Sequence, residues 1–328
     1  MDTFLQQLVN GLTAGSVYAV VALGYTMVYG IIQLINFAHG EVVMIGAMVA
    51  FTVINTLAAG GMPPLLVVMI GALSAIPVCM AVGYAMERLA YRPLRRAPRL
   101  APLITAIGVS IILQHLAMLV WSRNILAFPQ IIQTSTYTFF GATISSVQIA
   151  IIGICVAMMA GLALLVYRTP LGTAMRATAQ NPQVAGLMGV DVNRVIAATF
   201  VIGAGLGAVA GVLFGTYYGI AQYTMGSVLG LKAFSAAVLG GIGNIPGAML
   251  GGVLLGLVEA LGAGYIGDLT DLCSYDWLAA ALGSRCADGG HFILFGSNYQ
   301  DVFAFVVLIL VLVFRPQGLL GERVGDRA

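Results

Sequence analysis

The stretch that decides the fold is RVIAATFVIGAGLGAVAGVLFGTY, residues 194–217. Its only charged residue is Arg194, at the first position, and a predominantly apolar run follows. About 20 such residues in α-helical form span the hydrocarbon core of a bilayer. We therefore predict that this stretch is a membrane-spanning helix.

The rest of the chain repeats this pattern. Of its 328 residues, 60% are hydrophobic and only 8% are charged, whereas a soluble domain carries about 25% charged residues. We predict an all-α fold, a polytopic transmembrane helical bundle that forms a single membrane domain over residues 1–328. It has about 8–9 membrane segments, some of them discontinuous, near 6–30, 40–59, 64–87, 101–121, 147–167, 194–217, 227–243, 246–264 and 299–314.

The basic residues indicate the orientation. Most of the 14 Lys and Arg residues fall in three segments that the predicted spans place on one side, and Lys and Arg near membrane segments stay cytoplasmic. We therefore expect a multi-pass protein of the bacterial inner membrane with a cytoplasmic C-terminus and, from the odd span count, an external N-terminus. The basic segments contain Arg88, Arg92, Arg95, Arg96 and Arg99; Arg168, Arg176 and Arg194; and Arg315, Arg323 and Arg327.

Glycine recurs at intervals of four residues in two segments. Such rows leave a groove along one helix face in which a neighbouring backbone can lie close. Helix packing is the expected role, and smooth faces that slide past one another are the alternative. The rows are Gly203, Gly207, Gly211 and Gly215, and Gly243, Gly247 and Gly251.

Two segments interrupt the predicted helices with polar or helix-breaking residues. They are NFAHGE, residues 36–41, and LGGIGNIPGAMLGG, residues 239–252. Transporter folds use discontinuous helices to present helix ends to a solute. Asn36 is a favourable N-cap residue, so its helix could direct backbone N–H groups toward a carboxylate. The alternative is an interfacial turn over residues 31–39.

Ionisable residues also fall inside or beside the predicted spans. Such residues usually face protein or a water-filled cavity. Glu41 and His39 are read either as a proton-handling pair or as packed residues bonded to a neighbouring helix. Lys232 either lines a pathway or extends to the membrane interface. Together with Asn36, these residues are the candidates for lining a translocation pathway.

The predicted external loop, residues 265–298, contains two cysteines. Because a bacterial periplasm is oxidising, Cys273 and Cys286 are candidates for a disulfide. A zinc site that uses His291 is the weaker alternative.

The sequence lacks the motifs of an enzyme. No Walker A motif, G-x-S-x-G or H-E-x-x-H occurs, and we predict neither a cofactor nor a metal. The basic residues lie in short loops, so nucleic acid is not an expected partner. Residues 168–194 form the largest cytoplasmic loop, which is rich in Ala and Met. We expect short helices joined at Asn181-Pro182 and a surface that docks on a partner.

The chain resembles the branched-chain amino acid ABC transporter permeases of the LivH type over essentially its whole length. The resemblance rests on NFAHGE (36–41), AMRATAQNPQVAGLMGVD (174–191) and GLKAFSAAVLGGIGNIPGAMLGG (230–252). It implies the fold of an ABC importer permease, embedded in membrane lipid. It also implies that the chain is the channel-forming subunit and not an enzyme. The implied partners are a second homologous permease, two cytoplasmic ATPases and a periplasmic solute-binding protein.

The resemblance also suggests where the ATPases dock. Importer permeases carry a coupling helix with an Ala-x-x-x-Gly element, which fits Ala185 and Gly189, with Arg176 and Asn181 before it. The expected substrates are branched-chain or other hydrophobic amino acids. Two alternatives stay open: a permease of the same family for urea, short amides or other amino acids, and a stand-alone ion-coupled carrier or channel.

Overall fold

The structure is a computed structural model that describes residues 2–95, 97–98, 100–132, 134–139, 141–269 and 299–321. In this part of the chain, helices occupy all nine predicted segments, which confirms the predicted fold class. The α-helices are α1 (Asp2–Ile32), α2 (His39–Ala58), α3 (Pro64–Ala85), α4 (Leu100–Val120), α5 (Ser146–Arg168), α6 (Pro170–Gln180), α7 (Pro182–Leu187), α8 (Val192–Tyr218), α9 (Met225–Gly240), α10 (Ile245–Leu269) and α11 (Gln300–Phe314).

Seven helices of the described residues are long and apolar enough to cross a membrane. They are α1, α2, α3 with its extension to Leu94, α4, α5, α8 and α10. Helices α9 and α11 are also apolar but have only 16 and 15 residues. The α3 extension contains a π-helical turn over Met86–Tyr91 and a 3₁₀ turn over Arg92–Leu94. The two shorter helices explain why the span count from hydropathy alone is uncertain by one or two.

Helices α1, α2 and α8 form the centre of the bundle, and most of their side chains are buried. Helices α3, α4 and α5 lie outside and expose large aliphatic residues such as Leu73, Ile112 and Leu164. Lipid tails are as apolar as these side chains, so their exposure to a bilayer is favourable. The outer helices therefore pack against a central group whose side chains are mostly buried.

Glycine lets the central helices approach one another closely. In α8, a Cβ on Gly211 would lie 2.1 Å from the carbonyl oxygen of Val43 in α2. In α10, a Cβ on Gly251 would lie 2.1 Å from the carbonyl oxygen of Ala236 in α9. The other glycines of the two rows also face neighbouring segments: Gly203 faces Gly24, Gly207 faces His39 and Val43, Gly215 faces Phe128, and Gly247 faces Gly240. Gly243 is different, because it lies in the α9–α10 turn with φ +94°.

In the described part of the chain, four short strands lie in the loops. Strand β1 (Leu126–Ala127) pairs antiparallel with β4 (Ile220–Ala221), and β2 (Thr136–Phe139) pairs with β3 (Ala142–Ser145) in register Thr136↔Ser145. The β2–β3 hairpin lies beside the start of α1, where the Gln6 side chain donates to the carbonyl oxygen of Thr143 (3.1 Å).

The opposite end of α1 lies beside a different set of segments. Gly30 faces Gly243 in the α9–α10 turn, and the C-terminal segment bonds to that turn through Leu320 N–H and the carbonyl oxygen of Gly240 (3.0 Å). Gln6 and Gly30 are 24 residues apart in α1, and an α-helix rises about 1.5 Å per residue, so the hairpin and this turn lie about 36 Å apart along the helix. The protein thus has a hairpin end and a C-terminal end, the latter shared with α6 and α7.

Candidate functional site

Helices α2 and α9 both begin inside the bundle, and their first turns meet there. Each follows a six-residue connection, residues 33–38 and 219–224. A Cβ on Gly40 would lie 2.2 Å from the carbonyl oxygen of Gly226 and 2.8 Å from the Cα of Gly230. Only backbone fits between the two helices at this point. We call this contact the α2–α9 junction.

Asn36 stabilises the connection that leads to the junction, but it does not cap α2. Helix α2 begins at His39, and its N-cap residue is Ala38, which makes no side-chain cap. The Asn36 Oδ1 accepts from the Ala38 N–H (3.1 Å) and from the Tyr91 hydroxyl (2.8 Å). Asn36 therefore closes a local turn and ties it to the end of the α3 extension, which corrects the N-cap prediction. Sequence spacing could not separate the two roles, because Asn favours both.

His39 fills the space beside the glycines of α1 and α8. Its side chain is buried, and its Nε2 would lie 2.1 Å from a Cβ on Gly24. The Tyr25 ring lies edge-on to the imidazole, with centroids 5.0 Å apart. The His39 ring occupies the space into which side chains at Gly24 and Gly207 would project. His39 therefore does not pair with Glu41, which has other neighbours.

Glu41 is fully buried in the first turn of α2, at the α2–α9 junction. Its Oε1 accepts from the Ser110 hydroxyl of α4 (3.1 Å), and its Oε2 would lie 2.4 Å from a Cβ on Gly226. No Lys or Arg of the described residues pairs with it. Because helix N-termini carry partial positive charge, the first turns of α2 and α9 stabilise negative charge at this position.

Lys232 joins three helices through a cluster of charged residues, which we call the Lys232 cluster. Its Nζ lies 2.7 Å from Glu259 Oε1 of α10 and 2.7 Å from Asp301 Oδ1 of α11. The Tyr18 hydroxyl of α1 also donates to Glu259 Oε1 (3.3 Å). Lys232 and Glu259 are buried, so each carboxylate offsets part of the free energy lost when the ammonium leaves water. Lys232 thus has partners from both α10 and α11.

A third buried carboxylate, Glu87, was not among the sequence candidates. It lies in the π-helical turn, has no exposed surface, and forms ion pairs with Arg92 (3.3 Å) and Arg95. Burial lowers the pKa of Arg95, and Glu87 opposes that shift. The Arg95 guanidinium also donates to Asn193 at the start of α8 (2.6 Å). The only sequence signal was a lone acid at the edge of an apolar run, close to several arginines.

The loop over residues 168–194 folds into two short helices, α6 and α7. Asn181 separates them and caps α7, because its side chain accepts from the Gln183 and Val184 N–H groups (3.0 and 3.1 Å). Gly189 follows α7 with φ +88°, a conformation that favours glycine. Asn181 therefore marks the start of α7, and Gly189 marks the point where the chain turns away after it.

Ala185 and Arg176 both face the protein. Ala185 is only 4% exposed. The Arg176 guanidinium donates to the carbonyl oxygen of Val166 at the end of α5 and lies 5.7 Å from the Tyr167 ring centroid. The most exposed large apolar residues of this loop are instead Val184, Leu187 and Met188, at 52%, 87% and 80% exposure. We call these three residues the α7 patch, which the sequence analysis did not single out residue by residue.

The disulfide candidates Cys273 and Cys286 lie outside the described residues, as does most of the predicted 265–298 loop. Its first residues, 265–269, continue α10. Among the residues described, no group of three or more His, Cys, Asp or Glu side chains could hold a metal ion. Cys79 and Cys155 are buried free thiols.

The bundle, with two helices that begin inside it and a pair of short helices at one end, defines a polytopic membrane permease. The family of the permease component of the branched-chain amino acid transport system matches residues 7–312, and the chain belongs to this family. No solved structure matches it.

Curated relatives match over almost their full length. The high-affinity branched-chain amino acid transport system permease protein BraD of Pseudomonas aeruginosa is 48% identical over 97% of this chain and 96% of its own. The LivH permease protein of Escherichia coli K12 is 43% identical over the same shares. A probable LivH permease of Methanocaldococcus jannaschii is 28% identical over 92% of this chain and 87% of its own.

Proposed function

We propose that this chain is the channel-forming permease subunit of an ATP-driven importer for branched-chain or other hydrophobic amino acids. The observation that carries the proposal is the 48% identity over 97% of the chain to a permease of a high-affinity branched-chain amino acid transport system. The apolar character of the bundle is compatible with an aliphatic solute. In this proposal the chain hydrolyses nothing and forms the conduit.

The proposed partners are a second homologous permease, two cytoplasmic ATPases and a periplasmic solute-binding protein. The α7 patch supports the ATPase contact, because three neighbouring apolar side chains exposed on a loop outside the spans are best stabilised by a protein partner. Asn181, Ala185 and Gly189 shape α7 so that the patch faces outward, and Arg176 ties α6 to α5. These four residues thus act in coupling by positioning rather than by contact.

In the proposed orientation the C-terminal end faces the cytoplasm. That end holds α6, α7 and the C-terminal segment, as well as Arg95, which bonds to Asn193. Basic residues concentrate there, in agreement with the tendency of Lys and Arg to remain cytoplasmic. The β2–β3 hairpin and the end of α10 then face the periplasm, where the solute-binding protein docks.

We infer that the translocation pathway passes the α2–α9 junction. Asn36, His39 and Glu41 are all buried there, and Lys232 lies further along α9. A narrow cleft lies on the α1–α9 side of the junction, lined by Tyr25, Tyr29, Ile35 and Phe234 among others. Its aromatic and aliphatic lining suits a hydrophobic side chain. Exposing the buried polar residues requires α2 and α9 to separate, which is a motion that ATPase closure can drive.

Reconstituted transport tests the proposal. The full chain is placed in proteoliposomes with the second permease and ATPases, and loaded binding protein is added outside. Uptake of labelled leucine should require ATP on the ATPase side and should be competed by isoleucine and valine but not by urea or acetamide. Uptake that persists without ATP under an ion gradient would contradict the proposal, as would competition by urea.

A further inference from the structure

A second cleft lies at the C-terminal end of the molecule, separate from the α2–α9 junction. It has an empty volume of about 400 Å³ and is bounded by the last turns of α1, the end of α5, helix α6 and the α9–α10 turn. We call it the α1–α6 cleft. Most of its wall is aliphatic or thioether, from Met27, Ile31, Val166, Met175 and Ile245.

Two polar side chains, Thr26 and Arg176, line this apolar wall. Thr26 is 1% exposed, yet its Oγ1 has no hydrogen-bond partner in the described part of the protein. Other buried helical threonines satisfy their hydroxyls on the preceding turn, as Thr178 and Thr199 do with the carbonyl oxygens of Ala174 and Val195 (2.8 and 2.9 Å). An unpaired hydroxyl in such a place costs free energy unless a ligand or water bonds to it.

Among the residues that the structure describes, Arg176 provides the only charge in the lining. Its one protein hydrogen bond is to the carbonyl oxygen of Val166, and a guanidinium has five N–H donors. No acidic residue of the described ranges lines the cleft. A guanidinium with free N–H donors binds a carboxylate through paired hydrogen bonds, and the Thr26 hydroxyl lines the same cleft.

We propose that the α1–α6 cleft binds an aliphatic α-amino acid, with its carboxylate on Arg176 and Thr26 and its side chain on the apolar wall. This inference rests on the proposed function, since the transported solute has this chemistry and the cleft lies at the proposed cytoplasmic end. The cleft is partly open to solvent, so the ammonium group keeps contact with water. The site is thus an exit site for the solute, beside the helix pair assigned to coupling.

Glycine keeps the cleft open. A Cβ on Gly30 would have no atom closer than 3.6 Å, the Cα of Gly243. Since 3.6 Å is an ordinary van der Waals distance, small side chains at this position fit without displacing the backbone. Gly30→Val adds two methyl groups beyond this Cβ and should narrow the cleft, and thermal unfolding of the variant checks that the helix still folds.

The test measures equilibrium binding of labelled leucine to the full chain in nanodiscs with its partner subunits, without nucleotide or binding protein. Labelled leucine should bind, and unlabelled leucine should displace it. Leucinamide lacks the carboxylate and glycine lacks the side chain, so each should compete about tenfold less well than unlabelled leucine. Equal competition by leucinamide would overturn the carboxylate assignment, and no leucine binding would overturn the site.

Variants locate the site. Arg176→Gln should weaken leucine binding about tenfold, Thr26→Val about threefold, and Gly30→Val at least tenfold. Arg123 is an exposed arginine at the hairpin end. Arg123→Gln is therefore the matched control and should bind leucine as the parent protein does. Because Arg176 also bonds to α5, thermal unfolding is measured for each variant, and Thr26→Val tests the cleft without touching that bond. Unchanged binding in Thr26→Val and Gly30→Val would contradict the proposal.

The uptake assay separates the two claims. ATP-dependent leucine uptake without leucine binding in the nanodiscs would reject the exit site and leave the proposed function intact. Leucine binding without ATP-dependent uptake would reject the importer function instead.

Discussion

Gly40 and Gly226 are in direct backbone contact where helices α2 and α9 begin. A Cβ on Gly40 would lie 2.2 Å from the carbonyl oxygen of Gly226. A Cβ on Gly226 would lie 2.7 Å from the carbonyl oxygen of Gly40. Two helix N-termini therefore meet inside the bundle, and the Glu41 carboxylate lies between them. Glycine is required at both positions for steric reasons, since every other residue adds the clashing atom.

Gly40→Ala should separate the two helices and destabilise the protein. Forcing a methyl group into a fully packed contact costs about 1–3 kcal/mol. The free energy of unfolding in SDS, followed by tryptophan fluorescence, measures the loss. Gly108→Ala is the control, because a Cβ there meets nothing within 4 Å, and alanine stabilises a helix interior by about 1 kcal/mol relative to glycine. Equal stability of the two variants would refute the described contact.

Lys232→Met should destabilise the bundle strongly. The change leaves Glu259 buried without a cation, and breaking a buried ion pair costs about 3–5 kcal/mol. Adding Glu259→Gln should recover part of that loss, because the uncompensated charge is removed. A double-mutant cycle in the same unfolding assay measures the coupling between the two residues.

Arg194→Met is the comparison for Lys232. Arg194 forms an ion pair with Asp191 (3.0 Å), but its side chain is 89% exposed. Water and salt screen such a pair, so its removal should change the unfolding free energy by less than about 1 kcal/mol. Losses of similar size in Lys232→Met and Arg194→Met would show that the Lys232 cluster is not buried as described.

Leu187→Glu and Met188→Glu should detach the ATPases without unfolding the permease. Both side chains are largely exposed in this chain, so a charge there is tolerated in the free subunit but not in an apolar interface. We expect at least about a tenfold loss in ATPase co-purification and in ATP-dependent uptake. Thr173→Glu, an exposed residue of α6, is the control. Wild-type assembly in both α7 variants would reject the α7 patch as the docking surface.

Ala185→Arg should have a different effect from the two α7 patch variants. Because Ala185 is buried, an arginine displaces α7 itself, and assembly fails through loss of local structure. Limited proteolysis between residues 180 and 194 distinguishes the cases. Faster cleavage is expected in Ala185→Arg and unchanged cleavage in Leu187→Glu. Equal cleavage would mean that Ala185 does not hold α7 in place.

Single cysteines at the two ends should react with impermeant maleimide from opposite sides of the membrane. In a variant without the four native cysteines and produced without the ATPases, Tyr137→Cys in the hairpin should be labelled from the periplasm, and Leu187→Cys only in inverted vesicles. Both positions are exposed. Labelling of Leu187→Cys in intact spheroplasts would reverse the proposed orientation, and labelling of both from one side would contradict the two-ended structure.

The sequence by itself determined the helices and their environment. Runs of about 20 apolar residues have only one stable state in a bilayer, because every backbone N–H and C=O must be bonded within the segment. Local capping was also readable: Asn181-Pro182 predicted the break between α6 and α7, where Asn181 caps α7. These features depend on neighbours in the chain, so composition and spacing suffice to find them.

The tertiary structure decided which distant residues meet. Lys232 pairs with Asp301, which is 69 positions further along the chain, and Gly40 contacts Gly226. Asn36 makes a turn rather than a cap because Tyr91 holds its side chain. Ala185 is buried whereas Leu187 is exposed. Local pattern cannot predict such outcomes, because the free energy of each contact depends on which helix faces are packed together, and many arrangements of the same apolar helices satisfy the membrane equally well.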